Sequence, residues 1–100
     1  MRISEFEKES IIRLACRHFG TNVQVFLFGS RTSDQKRGGD IDLFISNPDN
    51  EHLNIRTKIN FITDLILLIG EQKIDVILDD SEKRKSFLFK TINQTGIKLC

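Results

Sequence analysis

Apolar residues recur along this chain at two periods, and the alternation between them lays out the elements. In residues 4–19 they fall three and four apart, so that Ile11 or Ile12, Ala15 and Phe19 share one side of a helix. Ser4 followed by Glu7 is a capping-box signature at its start, worth about 1 kcal/mol, and Gly20 stops it. Residues 23–28 are dense in β-formers and predict a first buried strand. Residues 30–37 are polar and predict a short helix ended by Gly38 and Gly39; residues 40–46 form a second strand, closed by Asn47-Pro48-Asp49-Asn50. From residue 51 to 69 the pattern is again helical, with Ile55, Ile59, Ile62, Ile66 and Ile69 three and four apart and Gly70 beyond them. Residues 73–79 supply a third strand, Asp80-Ser81 caps a last helix to about residue 93, and residues 96–100 read as a short extended tail. Helix and strand alternate, which predicts an α+β domain: a small mixed sheet packed with helices in two or three layers.

Polar residues break this pattern most informatively where strands end. Gly29-Ser30 follows the first strand, and a tight turn opening a helix presents free backbone N–H groups that hold phosphate oxygens. The second strand opens with Asp40-Ile41-Asp42, whose two acids share one strand face about 6.6 Å apart along the backbone. A third acid, Asp75, lies within the run Lys-Ile-Asp-Val-Ile-Leu of another strand, and neighbouring strands are only about 4.8 Å apart. Three carboxylates can therefore converge. At about 6 Å and an effective dielectric near 20 each like-charged pair costs roughly 3 kcal/mol, a penalty that a bound cation removes. Oxygen-only donors beside a phosphate site favour Mg²⁺, with Mn²⁺ as a substitute, over zinc. Asp79 rivals Asp75 as third acid, being on the same face at the strand's end; the flanking Ile74 and Val76 favour Asp75. Arg31, Lys36 and Arg37 are further candidates for phosphate charge.

Composition narrows the reading by exclusion. One hundred residues predict one domain, 1–100, with a radius of gyration near 13 Å and no room for a second catalytic or base-reading unit. A net charge of +1 and a pI near 7.8 do not describe a polyanion binder, so no direct nucleic-acid binding is expected. The longest pure apolar run, residues 65–69, is too short for a membrane span, and no targeting segment is visible. Cys16 and Cys100 show neither a disulfide framework nor metal-ligand spacing, which points to a reduced, cytoplasmic setting. His18 and His52 stand apart from the acidic motif and read as surface or helix-face residues; Phe26, Phe28 and Phe44 read as core or as the border of a nucleotide pocket. The cluster Lys83-Arg84-Lys85 reads as a solvated helix face.

A strand, Gly29-Ser30, nine residues, and then Asp40-x-Asp42 on a second strand resembles the signature of the polymerase-beta-like nucleotidyltransferase superfamily, and Asp75 matches its third carboxylate. The whole chain looks like the minimal branch of that superfamily. Two departures stand out: Gly39 occupies a place where many relatives have serine, and residues 32–39 lack the commoner Ala-Arg-Gly continuation. The resemblance implies a nucleotidyltransferase fold and transfer of a nucleoside monophosphate from ATP to a hydroxyl, with two Mg²⁺ ions about 3.5–4 Å apart. It implies that Asp40, Asp42 and Asp75 are the catalytic metal ligands, and that Gly29, Ser30 and Arg31 bind the nucleotide.

The same resemblance implies a partner, since many minimal members are encoded beside a small helical protein of the HEPN class and act as antitoxins. The leading expectation is AMP transfer to a tyrosine of that ribonuclease-like toxin, within a hetero-oligomer. Two alternatives stay open: nucleotidylation of a small molecule such as an aminoglycoside, and a non-catalytic antitoxin that acts by binding alone.

Overall fold

The computed structural model describes residues 3–28, 41–47, 53–79 and 96–100. Within them the order is α1 (Glu5–Phe19), β1 (Gln24–Phe28), β2 (Ile41–Ser46), α2 (Ile55–Ile69), β3 (Ile74–Leu78) and β4 (Ile97–Lys98). The helices expected over 30–37 and 81–93 lie outside the described residues, as do Gly29, Ser30, Arg31, Lys36, Arg37, Gly38, Gly39, Asp40, His52 and the 83–85 cluster.

Helix α1 starts as the capping box requires. The Ser4 hydroxyl accepts the Glu7 N–H at 3.0 Å, and the Glu7 carboxylate accepts the Ser4 N–H at 2.9 Å, satisfying two otherwise orphan donors. The helix ends at Gly20, whose φ of +100° lies in the region closed to most side chains. An added Cβ there would sit 3.2 Å from Asn47 Nδ2, and that amide donates to the Phe19 carbonyl at 2.6 Å. Buried Asn47 thus ties the end of α1 to the end of β2.

Helix α2 begins later than the sequence suggests. Asn54 is its N-cap and accepts the Thr57 N–H at 2.9 Å; the apolar period from residue 51 carries no information about this cap. Its buried stripe also differs. Phe61 and Leu65 are fully buried, Ile62, Ile66 and Ile69 pack at the margin, and Ile55 and Ile59 are 71% and 55% exposed. The helix is apolar over more than half its circumference, so periodicity alone does not single out the inward side.

The four strands form one sheet in the order β3-β2-β1-β4. Neighbours β1 and β2 run antiparallel, as do β1 and β4, while β2 and β3 run parallel with α2 between them in the chain, a βαβ unit. The expected tail is a strand: Leu99 N–H donates to Val25 O at 2.7 Å and Val25 N–H to Cys100 O at 3.2 Å. One sheet face carries Val25, Leu27, Ile41, Leu43, Ile45, Ile74 and Val76, and packs with Ile11, Leu14, Ala15, Phe19, Phe61 and Leu65 of the two helices. The helices pack together, with Phe19 edge-on to Phe61 at 5.3 Å and Gln72, just beyond α2, donating to Glu7 at 2.9 Å. Burial of each such apolar side chain contributes roughly 1.5–3 kcal/mol. No described helix is long and apolar enough to cross a membrane. The radius of gyration is 12.7 Å, close to the value expected from length.

Candidate active site

Strand alternation sends every second residue of β2 away from the helices. Asp42, Phe44 and Ser46 therefore share the far face of the sheet with Asp75, Ile77 and Asp79 of the β3 segment and with Phe26 and Phe28 of β1. Register then places the acids. Asp42 and Asp75 are direct partners across the parallel pair, and Phe28 is the partner of Asp42 on its other side. Phe28 immediately precedes Gly29, and Ile41 immediately follows Asp40. The two strand ends that border residues 29–40 thus lie side by side at the edge where the acids stand.

Asp42 is half-buried in the middle of the sheet, whereas Asp75 is exposed. Solvent at one of the two acids weakens the repulsion between them. For partner positions about 4.8 Å apart with one acid in water, it falls from the roughly 3 kcal/mol expected from sequence towards about 1 kcal/mol. The pair is an oxygen-donor set on a shared face, the chemistry that suits Mg²⁺ or Mn²⁺. Among the described residues no three potential ligands converge, so a complete divalent site of the expected kind would need Asp40 beside this pair.

Asp79 sits in a different setting. It follows β3, is 4% exposed, and accepts the Ser46 hydroxyl at 2.8 Å; its own N–H donates to Ile45 O at 2.8 Å. It lies four positions further along the chain than Asp75, about 13 Å at 3.3 Å per residue. The structure therefore brings Asp75, not Asp79, beside Asp42. Sequence reasoning missed the part that Ser46 and Asn47 play at the other end of β2, where their burial gave no sequence signal.

The aromatic residues divide likewise. Phe44 is 2% exposed and lies 6.2 Å from half-buried Phe26, on the acid-bearing side of the sheet. His18 is part of the helix layer, edge-on to Phe61 at 6.2 Å with Nε2 hydrogen-bonded to Asp64 Oδ2 at 2.8 Å, away from the acids as its sequence position suggested. Both cysteines are free. Burial first, then the nearby Cys16, raises the Cys100 thiol above its ordinary value, which keeps it protonated at neutral pH.

No curated protein matches the chain. Among solved structures, a chain of the toxin–antitoxin complex MntA–HpeT, in a mutant with two aspartates replaced by glutamate, is similar in fold: TM-score 0.66 and 21% identity over 93% of this chain and 71% of that one. The family described as Polymerase beta, Nucleotidyltransferase matches residues 9–100, a span that includes both strands of the acid pair and the Gly29-Ser30 motif. The chain belongs to this polymerase beta nucleotidyltransferase family.

Proposed function

We propose that the chain transfers AMP from ATP to a hydroxyl group, that of a tyrosine, on a cognate HEPN-type ribonuclease toxin, and so acts as its antitoxin. The observation that carries the chemistry is the register of Asp42 with Asp75 on the sheet face turned away from the helices. Two divalent cations, held by Asp40, Asp42 and Asp75, would supply charge neutralisation to the attacking and leaving oxygens. The chain's own part is positional. Gly29 and Ser30 offer backbone N–H groups to the triphosphate, and Arg31 offers a guanidinium to its charge. Asp42, half-buried and fixed by a neighbour on either side, sets where the α-phosphate lies. Asp75, exposed, meets the acceptor and takes the proton of its hydroxyl. The acceptor oxygen then bonds to the α-phosphorus as the bond to the bridging oxygen breaks, and pyrophosphate leaves.

Support for the partner comes from the fold relative, which is a toxin–antitoxin complex. A phosphodiester added near a ribonuclease site brings negative charge and bulk where the RNA backbone must bind, so substrate is repelled as well as blocked. Incubation of the chain with α-labelled ATP, Mg²⁺ and a candidate HEPN-type partner is expected to move label onto that protein. Label on an aminoglycoside instead, or on nothing, would overturn the reading.

A further inference from the structure

The outer side of the helix pair, across the sheet from Asp42 and Asp75, carries a groove of about 390 Å³ with a mixed character. Arg13, Leu14 and Arg17 of α1 and Asp64, Leu67 and Leu68 of α2 line it. Leu67 is 80% and Leu68 41% exposed, while Leu14 forms the floor and belongs to the core. Phe6, 55% exposed, stands on the same stripe of α1 as Arg13 and Arg17, since residues seven and eleven apart return to one side of a helix. Among the described residues, large apolar side chains on this outer side stay exposed.

Charge says what suits them. Arg13 and Arg17, one turn apart, have no ion pair with any described residue, whereas the acid in the groove, Asp64, is engaged by His18 at 2.8 Å. The groove therefore presents two unneutralised guanidinium groups beside leucines. We propose that it is a docking site for an amphipathic helix of a partner protein that carries acidic residues along the edge of a leucine-type apolar stripe. Helix-in-groove recognition has this form: apolar side chains at three- and four-residue spacing enter the groove, and carboxylates at the rim meet the arginines, which choose the partner's sign and speed its approach. Asp64 within the groove disfavours an anionic membrane or a nucleic acid, whose charge would be continuous across it. The groove is independent of the nucleotidyl-transfer site, because none of its residues shares a sheet face with Asp42 and Asp75.

The test is selection of a displayed library of random helical peptides against the full chain, followed by anisotropy titration of the winners. Enrichment of acidic, leucine-bearing peptides is expected, with binding at least about tenfold weaker to Leu67→Asp and to Arg13→Glu/Arg17→Glu. Replacing the peptide's acids with lysine should restore binding to the charge-reversed chain and to no other. All three positions line the solvent side, so melting temperatures should match the wild type, and those measurements accompany each titration. Enrichment of basic or sequence-indifferent peptides, binding unaffected by these substitutions, displacement by RNA or anionic vesicles, or saturation of the groove by a second copy in sedimentation would each overturn the proposal.

Discussion

The two ends of the β2–β3 pair carry the same residue type to opposite purposes. At one end Asp42 and Asp75 stand side by side on neighbouring strands, one half-buried and one exposed, two like charges that repel. About 13 Å along the same face, Asp79 is buried and accepts the Ser46 hydroxyl across the same two strands. A buried carboxylate held by a donor fixes strand register; two carboxylates facing each other on neighbouring strands repel and are suited to binding cations. The second arrangement relies on the first, because a one-residue slip of a strand would turn its acid to the helix side.

Breaking the open end should have the largest effect. Asp42→Asn is expected to lower nucleotidyl transfer by about a hundredfold or more, since loss of a charge-stabilising contact costs several kcal/mol of transition-state stabilisation. Its melting temperature should stay level or rise slightly as repulsion is relieved. Label transfer from α-labelled ATP, measured beside thermal melting, checks both. Asp75→Asn sharpens the division of labour within the pair: calorimetric ATP affinity in Mg²⁺ should be largely kept while the single-turnover rate falls, because the role proposed for Asp75 is at the acceptor.

The buried end should respond in stability instead. Asp79→Ala leaves the Ser46 hydroxyl without its acceptor and is expected to cost about 1–3 kcal/mol, a drop of roughly 5–20 °C in melting temperature, with the transfer rate per folded molecule close to wild type. Asp79→Asn keeps an acceptor oxygen of the same shape and should move stability and transfer least of all. Were Asp79→Asn to stop the reaction while Asp75→Asn did not, the roles of the two ends would be reversed.

Much of this contrast was legible in the sequence. Asp42 and Asp75 stood out by spacing and strand context, and the capping box, Gly20 and Gly70 marked three helix ends at the observed places. Three things depended on long-range pairing. Asp75 and Asp79 share a strand face; the flanking Ile74 and Val76 favoured Asp75 in the sequence, and the parallel register sets it beside Asp42, with Asp79 as the clamp at the far end. The pairing of residues 97–98 with β1 joins segments from opposite ends of the chain. In α2 the isoleucine period was real, but the inward side was chosen by the fit of Phe61 and Leu65 against α1 and the sheet, leaving Ile55 and Ile59 outside. The roles proposed for Gly29, Ser30, Arg31 and Asp40 come from sequence pattern and family, and these residues lie outside the described ones.

The central claim is that the acid pair performs transfer onto a protein. Intact-mass measurement of a candidate HEPN-type partner after co-expression, with the wild-type chain and with the Asp40→Ala/Asp42→Ala chain, tests it most directly. The wild type should leave the partner heavier by one or more AMP groups and inactive as a ribonuclease, and the double variant should leave it unmodified and active. An unmodified partner silenced equally by both chains would contradict the claim and show that binding alone suffices.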